Sequence, residues 1–424
     1  MKTVNMKYGR QGLELSVPDT ADIFEPDWAP ALPDEEIAIR RALLQPYGTG
    51  ALRDQLDPHM QVVVVHTDLT RATPNARLLT PILAEIQLAG IPVENVTILN
   101  ALGSHRRQTD AEMNALLGER IFSTYRCIQH DAFDPDKNVD LAKTVNGQTV
   151  RINREFVEAD FRILTGFIEP HFFAGFSGGP KLVLPGLADV NTIQWNHRPE
   201  SIASPKATWG VTAGNPIWEE IRAAARRFDA VFNVNVTLNA EQRINGVFCG
   251  DLLASHTAGC EAAAKQSMFK VKQPYDLVIT GNSGYPLDQN LYQSVKGMCA
   301  AAQITRAGGR IIMAAACEDG LPDHGLYAKL LAEAESPQAI LDSIMHSARS
   351  LQDQWQIQKQ AMVQTRFDVG VYSDGLSEEE IRKAHFKPIE DIESEIATTL
   401  ANNPNARIAV LPEGPLSIGT LDGH

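Results

Sequence analysis

Four short segments of this 424-residue sequence combine residue types that packing alone does not call for. The densest is Glu169-Pro170-His171-Phe172-Phe173-Ala174-Gly175-Phe176-Ser177-Gly178-Gly179-Pro180-Lys181. It has the outline of a Walker A loop, but Pro180 takes the place of the second glycine. Leu182 stands where the magnesium-holding hydroxyl belongs, so a P-loop NTPase is disfavoured. What remains is a glycine-rich loop whose backbone N–H groups can approach an anion, with His171 as a candidate acid or base. Lys181 sits in apolar company before Val183-Leu184-Pro185-Gly186. A lysine desolvated in this way has a lowered pKa and serves as a nucleophile or covalent anchor. The plainer alternative packs the phenylalanines into core and leaves Lys181 snorkelling at the surface.

The other segments are shorter. In His66-Thr67-Asp68-Leu69-Thr70-Arg71 two acceptor or hydroxyl side chains precede an arginine able to clamp a carboxylate or phosphate; a turn closed by Asp68 and Thr70 is the plain reading. Gly103-Ser104-His105-Arg106-Arg107 offers a second candidate acid or base in His105, or merely a surface histidine. Trp195-Asn196-His197-Arg198 adds a third imidazole, so His105, His171 and His197 could form a hydrolytic His₃ zinc site, although nothing matches HExxH. The last segment runs from Thr280 through Gly281-Asn282-Ser283-Gly284 to Tyr292-Gln293-Ser294-Val295-Lys296. It is not GxGxxG, which rejects a dinucleotide fingerprint. Gln293 and Lys296 are three apart and share a helix face near its N-terminus, where donors and the helix dipole suit an anionic substrate. An exposed helix face is the plain alternative, as core packing is for Trp355.

These segments follow short apolar runs that alternate with helical patterns, the signature of an α/β fold with mostly parallel sheets. Strands are expected over Gln61–His66, Asn95–Asn100, Phe161–Phe167, Ala230–Val236, Asp276–Thr280, Arg310–Ala315, Val369–Tyr372 and Arg407–Leu411. Helices are expected over Pro81–Ala89, Ala111–Leu117, Pro216–Arg227, Leu252–Ser267, Leu291–Arg306, Pro337–Ser350, Ser377–Ala384 and Ile389–Leu400. The polar stretch VKQPY marks a boundary: an N-terminal α/β domain over 1–270 carries the anchor and histidines. A smaller α/β domain over 271–400 carries Gln293 and Lys296, with the active site in the cleft between the two. The last strand and tail, 401–424, could close either sheet.

Composition narrows the function. A net charge of -14 repels phosphate backbones and anionic lipid, which argues against nucleic-acid or membrane-surface partners. Only 21% of residues are charged, too few for a disordered chain. No apolar run reaches the roughly 18–20 residues a spanning helix needs, and the N-terminus lacks the features of a signal peptide. Five scattered cysteines without a CxxC fit reduced thiols and a cytoplasmic location.

Taken in order, TDLTR, GSHR, GFIEPHFFAGFSGGPKLVLPG, NH, GYPLDQNLYQSVKGM and DQW resemble the nickel-pincer lactate racemase family over nearly the whole chain. The resemblance implies an isomerase that inverts C2 of a 2-hydroxy acid by hydride transfer through a bound 2-keto acid. It implies a nickel pyridinium-3,5-bisthiocarboxylate mononucleotide tethered to Lys181, nickel ligated by His197, and His105 and His171 as paired acid and base. Asp68, Leu69, Thr70, Arg71 and Trp355 then fall at the cofactor, and Arg71, Tyr292, Gln293 and Lys296 at the anionic substrate. Separate biosynthetic enzymes would deliver the pincer. Leu69, Pro170, Pro180 and Arg198-Pro199 depart from residues common in the family, which opens malate, another larger 2-hydroxy acid or a sugar acid beside lactate. A zinc hydrolase and a non-catalytic hydroxy-acid binder are the rival readings.

Overall fold

The computed structural model describes residues 1–144, 147–322, 325–347 and 350–422. The chain divides into two compact units, Trp28–Asn196 with Val211–Ala264, and Met1–Asp27 with His197–Gly210 and Lys265–His424. In the first, six strands lie in the order Ile244–Asp251, Val231–Leu238, Phe161–Phe167, Val62–Thr67, Val96–Ala101, Arg126–Gln129. Only the pair Val231–Leu238 and Ile244–Asp251 is antiparallel. Val62, Val63, Val64 and Val65 are all at most 2% exposed, which is why that run lacks alternation. Val62 and Val64 share a core with Ile39, Leu43, Leu78 and Ile82, from the helices Glu35–Leu44 and Asn75–Leu88.

The chain order sets the place of the chemistry. From Val62–Thr67 the chain moves outward through Val96–Ala101 to Arg126–Gln129, then crosses back to Phe161–Phe167 on the other side. The reversal falls between two paired strands, and the loops after Thr67 and Phe167 leave from their carboxyl ends. Open parallel sheets take ligands at such a point because loops diverge there.

In the second unit six strands, all parallel, lie in the order Lys387–Pro388, Asp368–Tyr372, Thr305–Ala314, Tyr275–Thr280, Ile408–Leu411, Asp22–Ile23. Contacts therefore group the chain differently from a cut at 270. Met1–Asp27 joins the second unit, with Asp22–Ile23 forming an edge strand beside Ile408–Leu411, and the hairpin Lys2–Met6/Leu13–Val17 lies in the same unit. His197–Gly210 joins it as well. Of the last segment, Ile408–Leu411 sits within this sheet and Ile418–Leu421 pairs with Met268–Val271 of the same unit. A two-residue strand has no hydrophobic period, so nothing local announces such returns.

All the expected strands form, with ends shifted by a few residues. The helix expected from Pro81 instead begins at Asn75 and carries Pro81 inside it, buried, so the proline is no start signal here. The helix from Leu291 ends at Ala301, because Thr305 opens the next strand. The helix from Pro337 ends at His346; Ala348 and Arg349 of the expected span lie outside the described residues.

Three histidines of the first unit are buried and neutral. Burial pushes His66, His130 and His256 each down to about 4, against the partial compensation of a backbone carbonyl each ring touches. Folded pKa values below the unfolded 6.5 mean that the unfolded chain binds more protons between those limits, so stability falls as pH drops from about 6.5 toward 4. Each histidine contributes about 1.4 kcal/mol per pH unit inside that window. Urea unfolding followed at pH 7, 6 and 5 is expected to show a steep loss; a flat profile over that range contradicts the buried-neutral assignment.

Candidate active site

The strand Val62–Thr67 ends in a tight turn, closed by the Arg71 N–H donating to the Asp68 carbonyl at 3.2 Å. The Asp68 side chain is buried and carries two bonds. Its Oδ1 accepts from the Thr70 hydroxyl at 2.8 Å, and its Oδ2 lies 2.6 Å from Nδ1 of His105. Burial opposes ionisation of Asp68, but the His105 bond and charge, the Arg71 charge and the Thr70 hydroxyl together outweigh it, and the carboxyl is held below its usual range. An ionised carboxylate only accepts, so His105 donates through Nδ1–H, and in the neutral ring Nε2 holds the lone pair. The His105 side chain is 48% exposed, so that nitrogen can meet a substrate. The local turn expected of the first segment is present, and its Asp68 carboxylate also reaches His105. The His105 loop is tied down from the other side, where Gly103 donates its N–H to Gly186 O at 2.9 Å.

This arrangement makes a direct prediction. Asp68→Asn keeps the shape but no longer fixes the imidazole tautomer or stabilises its protonated form. Turnover is expected to fall about 10²-fold, the scale of a general-base effect, with the urea midpoint little changed. Parent-like steady-state kinetics in that variant contradict the dyad.

After Phe167 the chain makes a small hairpin, Pro170–His171 against Gly175–Phe176. The His171 Nδ1 faces the N–H groups of Phe173 at 3.4 Å and Ala174 at 3.3 Å. Those groups only donate, so Nδ1 is the bare nitrogen and Nε2 carries the proton of the neutral ring. Both contacts are long and therefore weak. Phe173 links this histidine to the lysine, its ring centroid 4.5 Å from the His171 ring and 5.6 Å from Lys181 Nζ. Lys181 lies in the single turn Gly179–Leu182, half-buried, followed by fully buried Val183 and Leu184. That is the apolar setting expected for it.

Several N–H groups of the glycine loop are spent within the protein. Ser177 donates to Glu169 O at 2.9 Å, Gly179 to Asn235 Oδ1 at 2.6 Å and Lys181 to Gly178 O at 3.1 Å. The glycines serve close packing. Gly179 has φ +49°, and a Cβ there would lie 2.4 Å from the ring of His256.

In the second unit His197 is buried with its ring 5.1 Å from that of Trp355, so two residues far apart in sequence meet. The helix Gln354–Gln364 grips the His197 segment through Gln358 Nε2, which donates to Pro199 O at 2.8 Å, and Lys359 Nζ, which donates to Ala207 O at 2.9 Å. Burial holds the Lys359 amine below its usual range, with Cys299 acting the other way. On the helix Leu291–Ala301, Gln293 and Lys296 share a face as expected, with Lys296 Nζ donating to Gln293 Oε1 at 2.7 Å. Tyr292 meets Tyr327 edge to face at 5.3 Å. Leu69 is 44% exposed.

Among the described residues no group of three or more His, Cys, Asp or Glu side chains could hold a metal ion. Sequence reasoning missed Asn235, His256, Gln358 and Lys359. The alternation in Val231-Phe232-Asn233-Val234-Asn235 was a usable signal, since both asparagines interrupt an apolar strand and both are fully buried.

Two units with mostly parallel sheets make this an α/β protein, with the Asp68–His105 pair at the strand-order reversal of the first and the Lys296–Gln293 pair on a helix of the second. The chain belongs to the lactate racemase family and is an isomerase of the racemase class. The profile of the lactate racemase N-terminal domain matches residues 8–210, and that of the C-terminal domain matches 270–418. The chain is 36% identical to the lactate racemase of Thermoanaerobacterium thermosaccharolyticum over 98% of both proteins. It is 35% identical to that of Lactiplantibacillus plantarum over 90% of both. The solved lactate racemase apoprotein from T. thermosaccharolyticum superposes with a TM-score of 0.92 over 99% of this chain and all of its own. A Thermotoga maritima protein, 20% identical with a TM-score of 0.69 over 93% of this chain, shares the fold.

Proposed function

We propose that this enzyme inverts C2 of lactate or a related short-chain 2-hydroxy acid, using a nickel-pincer nucleotide covalently held on Lys181. The observation that carries the reading is the Asp68–His105 pair, a base with an exposed nitrogen at the reversal of strand order. The residues present also fit such a cofactor. Lys181 is flanked by buried aliphatic residues and an aromatic face, as a covalent anchor requires. His197 is a buried imidazole with no cluster of further protein ligands among the described residues, which suits a metal whose other donors come from an organic group. Asp68, Leu69, Thr70, Arg71 and Trp355 would complete the cofactor's surroundings. When bound, the group supplies a hydride acceptor for C2, which avoids forming a carbanion beside a carboxylate.

The chain's own residues supply the rest. Arg71 and Lys296 hold the substrate carboxylate, with Gln293 orienting the Lys296 ammonium and Tyr292 beside them. His105 Nε2 takes the hydroxyl proton of one enantiomer, and Asp68 stabilises the imidazolium that results. His171 serves the other enantiomer as the paired acid or base. Phe172 and Phe173 keep water from the 2-keto acid. Arg198 favours a second carboxylate, so malate, other larger 2-hydroxy acids and sugar acids form the competing substrate panel.

No helix among the described residues is long and apolar enough to cross a membrane, and all five cysteines are free, which supports a cytoplasmic setting. The partners in this reading are a small anionic substrate and the enzymes that make the pincer.

Isotope retention tests the mechanism. Loaded enzyme given C2-deuterated L-lactate in ordinary water is expected to yield D-lactate that keeps its deuterium, because hydride returns to the carbon it left. Inversion with complete washout of the label means proton abstraction instead, and binding without inversion means a non-catalytic binder.

A further inference from the structure

A buried pair on the helix Leu252–Ser267 takes no part in this chemistry, yet it touches the segment that carries it. His256 Nε2 lies 2.9 Å from the Ser177 carbonyl oxygen. A carbonyl only accepts, so Nε2 carries the proton and donates. Cys260 Sγ lies 3.4 Å from Nδ1 and 3.6 Å from Nε2, nearly equidistant, which puts the sulfur against the face of the ring as a packing neighbour. Burial raises the thiol far above its usual range, so it packs there as a neutral group. The ring stacks on Trp218 with centroids 5.0 Å apart and planes at 19°, and Gly179 packs against its edge. The imidazole is thus held between the indole, the sulfur and Gly179 with one directed hydrogen bond, from Nε2 to the Ser177 carbonyl.

The end of that chain matters. Ser177 stands between His171 and Lys181, and its own hydroxyl donates to Phe167 O at 3.0 Å while accepting from the Glu169 N–H at 2.9 Å. The segment from the strand end to the lysine is therefore closed on itself at Ser177, and His256 grips the closure from outside. We infer that His256 is a positioning residue that fixes the His171–Lys181 segment through the Ser177 carbonyl. What the segment carries rests on the function proposed above; the clamp stands on the geometry alone.

Two substitutions separate positioning from packing. His256→Phe keeps ring volume and the Trp218 stack but removes the donor, whereas His256→Gln returns an amide N–H near the place of Nε2. Both are made in the full chain, co-produced with the cofactor-making enzymes. In the Phe variant, amide exchange at Ser177 and Lys181 is expected to quicken about 10- to 100-fold, and loading at Lys181 and kcat to fall on the same scale with KM nearly unchanged. His256→Gln is expected to recover most of each loss. If the Phe protein does not fold, His256→Leu, which also lacks the donor, is read by the same amide exchange and is expected to quicken it too. A Phe variant that exchanges and loads like the parent, a Gln variant as impaired as Phe, or His256→Leu exchange at the parental rate overturns the assignment. If the parent itself carries no adduct, the anchor reading fails, and amide exchange alone still decides the role of His256.

Discussion

Lys181→Ala is expected to abolish cofactor attachment and with it essentially all turnover, while the protein folds as before. The side chain is half-buried, and the loop bonds that define its turn, from Lys181 N–H to Gly178 O and from Gly186 N–H to Lys181 O, are made by backbone. Truncation therefore costs within about 1 kcal/mol of stability, the range of a residue whose structural partners survive. Lys181→Arg is the sharper variant. It preserves the cation over the Phe173 ring but offers a guanidinium that stays charged and is no nucleophile. Both variants should lose activity by about 10⁴-fold or more, a barrier increase above roughly 5 kcal/mol. An active arginine variant shows instead that residue 181 acts only as a charge.

His105→Ala carries the second largest expected effect, a fall in turnover of about 10²–10⁴-fold, but with cofactor loading intact. The two variants thus separate attachment from proton transfer. The side chain is 48% exposed and its polar partner is Asp68, so its loss leaves the core untouched. Asp68 keeps the Thr70 hydroxyl and the Arg71 charge as compensation. At equal cofactor loading Asp68 acts on proton transfer through His105, so the double variant Asp68→Asn/His105→Ala should be no slower than His105→Ala alone. Additive losses mean that Asp68 has an independent role, and undiminished turnover in His105→Ala removes that residue from the mechanism.

Much of this arrangement was legible in the sequence, and what was not has a physical reason. The uninterrupted Val62–Val65 run announced a doubly buried parallel strand, and chemistry at its end followed from where such sheets bind ligands. The shared face of Gln293 and Lys296 followed from helical spacing, and their hydrogen bond agrees with it. Long-range pairing was not legible. Nothing near Asp22 announces an edge strand beside Ile408–Leu411, and nothing near His197 announces the grip of Gln358 and Lys359, because both contacts join segments without a shared local pattern. The glycine loop was ambiguous for a different reason. Close packing against Asn235 and His256 requires the same small residues that an anion site would. The protonation of His171 also lay beyond the sequence, since it depends on the N–H groups of Phe173 and Ala174 turning back toward the ring.

Denaturing intact mass with metal analysis, on protein co-produced with the cofactor-making enzymes, tests the central claim most directly. The account predicts a covalent, nickel-containing adduct that maps to the Lys181 peptide. An unmodified chain from that preparation, whether carrying zinc or no metal, contradicts it.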